Sequence, residues 1–101
     1  MNDFVLVGDE VLNNLDAKIL KAIKTISPTS FVSAVELSDR VKIDKMELGD
    51  RIMNLKKSGE VDIVTKEFVS SITLPNFIAK VRLTEAGRAA LKKIRSTSKG
   101  R

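Results

Sequence analysis

The sequence contains no cysteine, no histidine, no tryptophan and no tyrosine. That removes disulfides, thiol nucleophiles, zinc sites of the usual ligand sets and nearly every nucleophile–base pair built on imidazole. Phe4, Phe31, Phe68 and Phe77 are the whole aromatic supply, a poor one for a platform that stacks single-stranded nucleic acid. The glycines, Gly8, Gly49, Gly59, Gly87 and Gly100, do not cluster, so no glycine-rich loop is present to cradle a phosphate. Long apolar runs are missing too. Phe4–Val7 is the longest near the start, far short of a signal-peptide core or a membrane span, and no basic segment precedes it. The expectation is a binding module rather than an enzyme. It has no catalytic residue, no metal and no cofactor, and it sits in the cytoplasm, off the membrane.

What is present is the balance of an ordinary globular domain: 101 residues, 43% apolar and 31% charged. A chain of this size buries roughly two-thirds of its unfolded surface, enough for one core without staples. The charge is uneven. Residues 1–41 carry four basic and six acidic side chains, residues 42–101 fourteen basic and seven acidic, for a total of +5. From Arg88 to Arg101 there are six basic residues and no acid. With a pI near 9.7, the asymmetry favours a polyanionic partner reached by the C-terminal half. A solvated lysine-rich surface accounts for the same charges.

Leu12, Leu15, Ile19, Ile23 and Ile26 recur every three or four residues, one face of an amphipathic helix. Asn14 suits its N-cap, Asp16 its first turn, and Ser27-Pro28 its end. Ser33-Ala34-Val35-Glu36 is a capping box that opens a short helix to about Val41. Asp44-Lys45-Met46-Glu47 repeats the signal and opens a helix over about 45–58, which Gly59 closes. Only three or four residues are left for the turn between these helices, the spacing of a helix-turn-helix. Because Ser33/Glu36 and Asp44/Glu47 are explained as caps, a catalytic role for these carboxylates is not needed.

The period then changes. Val61–Thr65 and Phe77–Leu83 are rich in β-branched residues, and Ala79, Val81 and Leu83 alternate with Lys80 and Arg82. With Pro75-Asn76 as the return turn, they predict an antiparallel hairpin with a long tip. Thr84 caps a last helix to about Arg95, with Leu83, Ala86, Ala90, Leu91 and Ile94 inward. The expected organisation is an N-terminal extension over 1–11 containing a possible strand, a domain over 12–95 and a flexible basic tail over 96–101.

Helix, small strand, helix-turn-helix, hairpin and helix in this order resemble the winged helix-turn-helix superfamily as found in small bacterial and archaeal regulators. Glu36–Asp44 looks like its passage from second to third helix, Leu55–Val61 like its third helix leaving through glycine into the wing, and Leu83–Arg88 like its entry into the helix after the wing. The implied class is α+β, a three-helix core with a β-hairpin wing and a C-terminal helix. The resemblance is specific for fold and weak for function, because this fold also serves in protein docking, RNA binding and ribosomes.

The resemblance implies binding of double-stranded DNA by a transcriptional regulator or chromatin-associated factor. The recognition helix, about 45–58, would lie in the major groove and the wing, 61–83, on the backbone. The residues assigned to DNA are Lys42, Lys45, Arg51, Asn54, Lys56, Lys57, Lys66, Lys80 and Arg82. Asp50 and Glu47 oppose phosphate, and Met46 and Met53 suit a protein contact. Gly49 either admits a close neighbour or is a tolerated helix flaw. Lys66, Lys80 and Arg82 either reach phosphate together or form a solvent row. Met46, Met53, Val69, Ile72 and Leu74 are the candidate surface for a protein partner in a larger assembly, provided that the uncharged tip projects instead of folding back. An RNA- or ribosome-associated role is the third reading. A homodimer is expected, through Phe4–Val7 or the small-residue face of the last helix, with ordinary core packing as the alternative for both.

Overall fold

The computed structural model describes residues 4–7 and 10–99, with side chains placed for 14–93. Strands β1 (Phe4–Val7) and β2 (Glu10–Asn13) pair antiparallel from Phe4↔Asn13 to Val7↔Glu10. The extension thus makes a hairpin of its own, with β1 against the last helix and β2 against the first. Leu12, read as the first apolar position of the helix, lies in β2 opposite Val5. Its spacing from Leu15 suits a helix, but backbone pairing with β1 takes the residue up.

Helix α1 (Asn14–Ile26) buries Ala17, Ile19, Leu20 and Ile23 and leaves Lys18 and Lys21 exposed, as its periodicity requires. After Pro28 comes β3 (Val32–Ser33), and Ser33 caps α2 (Ala34–Val41) by accepting the Glu36 N–H at 3.1 Å. Helix α2 ends on Lys42, whose backbone is left-handed (φ 59) and whose N–H bonds Ser38 O at 2.9 Å. A left-handed residue other than glycine costs about 1–2 kcal/mol. The buried Ser38 hydroxyl steadies this turn by donating to Ile43 O at 3.0 Å. Asp44 then caps α3 (Lys45–Ser58), accepting from Met46 N–H at 3.0 Å and Glu47 N–H at 3.3 Å. At the other end Gly59 (φ 93) donates to Lys56 O while Glu60 donates to Leu55 O, the paired bonds of a Schellman stop.

Strands β4 (Val61–Thr65) and β5 (Ile78–Leu83) form the hairpin, with Val61↔Leu83 and Ile63↔Val81 opposed and an irregularity between Val64 and Thr65. Strand β3 adds to the other edge of β5, giving an antiparallel order β3-β5-β4. Helix α4 (Glu85–Lys99) follows and runs beyond Arg95 into the segment expected as tail. The inward position expected for Ile94 lies outside the residues with placed side chains.

One core joins these elements. Ile19, Leu20 and Ile23 of α1, Leu37 of α2, Leu48 and Ile52 of α3, Ile78, Val81 and Leu83 of β5 and Leu91 of α4 are all fully buried. Each such side chain contributes about 1.5–3 kcal/mol through burial. The start of α4 is tied to the α3–β4 corner. Thr84 Oγ1 donates to Gly59 O at 2.6 Å and accepts from Gly87 N–H at 3.1 Å, and Thr84 N–H bonds Glu60 O at 3.0 Å. A Cβ on Gly87 would collide with the Glu60 carbonyl. The small residue here is therefore required within the domain, and Ala90 is buried beside it.

Candidate nucleic-acid interface

Helix α3 turns Leu48, Gly49, Ile52 and Leu55 to the core. At about 100° per residue the opposite face carries Met46, Asp50, Met53, Asn54 and Lys57. Met46, Asp50, Asn54 and Lys57 are exposed, and Lys42, Lys45 and Lys56 stand exposed at the helix ends. Met53, expected as a free contact, is half-buried and packs against the core. Ile63 and Phe77 of the hairpin border it in a hollow of about 350 Å³.

Arg51 is turned inward. Its guanidinium lies 3.8 Å from Asp16 of α1 and 3.7 Å from Glu47 one turn back. Burial pushes the Asp16 carboxyl above the usual carboxylate range, and Arg51 opposes the shift. The charge of Arg51 thus serves first to offset an acid held between α1 and α3.

On the hairpin, Lys66 and Lys80 are exposed. Lys80 and Arg82 alternate on the central strand β5 and so share one of its faces, while Lys66 lies just past the end of β4. Arg82 is half-buried. Its guanidinium sits 2.9 Å from Asp62 Oδ2 on the facing strand and 4.5 Å from the centroid of the Phe31 ring. Of the cations expected on DNA, both arginines are therefore paired with acids of this chain, and among the described residues no lysine forms such a pair.

The tip divides between the two arrangements that the sequence left open. Leu74, a candidate protein contact had the tip projected, is fully buried, because the loop folds back and inserts it into the core. Phe68, Val69, Ile72 and Phe77 do project. Phe68 was not among the expected contacts, although the uncharged run from Phe68 to Phe77 marks it. Asn76 also carries more than the turn read from sequence. Its side chain presses on α3 at Gly49, where a Cβ would lie 2.7 Å from Nδ2. Gly49 therefore admits a neighbour, and that neighbour is a side chain from the loop. Asn76 Oδ1 is buried and accepts no hydrogen bond from the described residues.

Away from α3, Lys21, Lys24, Arg88 and Lys92 border hollows along α1 and α4. Arg88 is partly engaged, 3.3 Å from Pro28 O and 3.4 Å from Leu83 O. Among the described residues no His, Cys, Asp or Glu cluster could hold a metal ion, and no helix is long and apolar enough to cross a membrane.

No family model matches the chain, and no curated protein matches it. Solved structures do. BpsR of Bordetella bronchiseptica, whose DNA binding is regulated by 6-hydroxynicotinic acid, superposes with a TM-score of 0.69 at 18% identity, over 88% of this chain and 61% of that one. The PcaV transcriptional regulator of Streptomyces coelicolor, solved with its natural ligand, gives 0.69 at 17% identity over 93% and 60%. A MarR variant of E. coli complexed with operator DNA gives 0.67 at 20% identity over 85% and 55%. The chain thus spans little more than half the length of these structures. Element order, sheet topology and neighbours agree: the chain has the winged helix-turn-helix fold, with α2 and α3 as the helix-turn-helix and β4–β5 as the wing.

Proposed function

We propose that this chain binds double-stranded DNA as a transcriptional regulator or chromatin-associated factor, with α3 in the major groove and the wing along the backbone. The observation that carries the reading is the set of exposed groups on these elements: Lys42, Lys45, Asn54, Lys56 and Lys57 around α3, and Lys66 and Lys80 on the wing. Lysines act as point charges on phosphate and set the register, and Asn54 supplies the side-chain amide that pairs with adenine in the major groove. Arg51 and Arg82 work indirectly, by holding α3 against α1 and β5 against β4. Two solved neighbours, the E. coli MarR variant and the M. tuberculosis regulator MosR, were solved with DNA, which supports duplex DNA as the partner. The reading places a binding protein, not an enzyme, in the cytoplasm as a homodimer, with half-sites about 34 Å apart or a multiple of that.

Fluorescence anisotropy with a duplex of about 20 base pairs at several salt concentrations tests it. Neutralising about five phosphates gives log affinity against log salt a slope of roughly −4 to −5. A slope near zero contradicts the reading, and equal affinity for duplex RNA transfers the activity to RNA. The exposure of Met46 favours a second reading, in which this face captures a protein in a larger assembly. In that case Met46→Glu abolishes partner capture and leaves DNA affinity in place.

A further inference from the structure

Helices α1 and α4 carry cations that no acid balances. Past Asp16, α1 holds Lys18, Lys21 and Lys24 and no acid; past Glu85, α4 holds Arg88, Lys92, Lys93, Arg95 and Lys99 and no acid. The other two helices mix the signs, α2 with Glu36 and Asp39 beside Arg40 and α3 with Glu47 and Asp50 among its lysines, as ordinary soluble surfaces do. On α4 the cations are also in file. Positions 88, 92, 95 and 99, spaced four, three and four apart, share one face of the helix. From the first to the last the helix rises about 16 Å. Like charges three or four residues apart weaken a helix. The helix dipole favours cations in the last turn only, and Arg88 stands in the first.

The fold adds the cations of α1 to this file. Helix α4 packs along α1, and Lys24, Arg88 and Lys92 border one hollow of about 460 Å³ together with Glu85 and Ala89. Lys24 borders a second hollow with Lys21, Thr25 and Leu91. Arg88 is anchored there, its Nη1 donating to Pro28 O at 3.3 Å and to Leu83 O at 3.4 Å. Although Glu85 stands at the same hollow, none of Lys21, Lys24, Arg88 and Lys92 forms an ion pair with an acid among the described residues. Positive charge is thus gathered along two helices and left without a counter-charge from the chain.

From this we infer that the α1–α4 face is a second nucleic-acid site, which takes the phosphate backbone of a second duplex segment while α3 holds the first. The inference rests on the DNA-binding reading above. Charge selects an anion as the occupant, and the shape of the file selects a long one. A compact anion meets one hollow, whereas a row of cations about 16 Å long, one to each turn of helix, matches a polymer whose charge repeats. Duplex DNA, with one negative charge per roughly 1.7 Å of its axis, is the polymer that the reading already gives this chain. The two sites stand on different elements, since α4 packs on α1, β1 and β5 and α3 on α2 and β4. No Asn, Gln or aromatic residue lies on α4, so its contacts are to phosphate and carry no base readout. A chain that holds one duplex through α3 therefore links it to another of any sequence.

The test mixes the whole chain with two duplexes of about 20 base pairs, one carrying a fluorescence donor and the other an acceptor. The wild type brings them together at low salt, and energy transfer between them fades as salt rises. The triple variant Lys92→Gln/Arg95→Gln/Lys99→Gln spares the anchored Arg88 and is checked for its fold by circular dichroism. It cuts the linked fraction about tenfold and the salt slope of linking by about 3, while affinity for a single duplex changes by less than about twofold. Lys57→Gln lowers single-duplex affinity and linking together. Energy transfer that persists in the triple variant means that paired copies link duplexes through their α3 helices, and it overturns the inference. So does a wild type that binds one duplex and links none, with the DNA-binding reading left intact. If light scattering shows that the triple variant has lost self-association along with linking, the face joins copies of the chain and the inference is wrong. A wild type that binds no duplex overturns both.

Discussion

Helix α3 and the loop of the wing stand side by side, and their surfaces are made of opposite material. Around α3 the exposed groups are lysines, Glu47, Asp50, Asn54 and Ser58, with Met46 as the apolar exception. On the loop the large exposed side chains are Phe68, Val69, Ile72 and Phe77. Lysines act at a distance and lose their effect as salt screens them, over about 8 Å at physiological ionic strength. Apolar side chains act only in contact, and salt does little to weaken them. A face built from both would combine contacts that weaken in salt with contacts that do not. The two parts are stitched together by Asn76 at Gly49 and by Leu74 in the core, so the division is chemical and not mechanical.

The largest effect expected breaks that stitching. Leu74→Ala removes a fully buried side chain and should lower stability by about 2–5 kcal/mol in urea unfolding, whereas Val69→Ala on the exposed side of the same loop should stay within about 0.5 kcal/mol. Equal losses would mean that the loop is not anchored through Leu74. Next comes the charged half. Lys57→Gln should reduce the magnitude of the salt slope for duplex binding by about 1, while Arg51→Gln, whose charge is already spent on Asp16 and Glu47, should leave the slope nearly unchanged. A larger change for Arg51 than for Lys57 reverses the assignment of roles.

Gly49→Ala sharpens the comparison with a smaller effect. Alanine in a helix interior is favoured over glycine by about 0.8–1 kcal/mol, but here the methyl meets the Asn76 side chain. The substitution should therefore stabilise the protein less in the wild type than in an Asn76→Ala background, and strict additivity of the two would show that the contact carries no energy. The smallest effect concerns pH. With its carboxyl raised by burial, Asp16 holds its proton more tightly in the folded chain than in the unfolded one. Its contribution to stability is thus fully present below the ordinary value of 3.8 and is lost as pH rises through the raised folded value. Thermal unfolding across this acid range should show that loss, and Asp16→Asn should flatten it.

Local chemistry made the helix-turn-helix legible. Ser33, Asp44 and Gly59 act on backbone groups within a few residues of themselves, and each does in the structure what its neighbours in sequence imply. What was hidden depends on contacts over long separations. Leu12 fits both a helix period and a strand, and only pairing with Val5 decides between them. Leu74 looks like Val69 and Ile72 until the loop folds back. Gly87 fits both core packing and a surface for another helix, and only the Glu60 carbonyl that fills the space decides for the first. In the site, the positions of the cations were legible but not their freedom. Arg82 is held by Asp62 across the strand register and Arg51 by Asp16 on another helix, and no spacing announces either pair.

An amide NMR titration of the chain with a duplex of about 20 base pairs, at low salt and again near 0.2 M, tests the central claim most directly, because it reads every part of the molecule at once. The account predicts shifts over residues 42–57 together with Lys66, Lys80 and the loop from Phe68 to Phe77, with the helix shifts weakening in salt more than those of the loop. Shifts confined to the α1–α4 side, at Lys21, Lys24, Arg88 and Lys92, or no shifts at all, would contradict it.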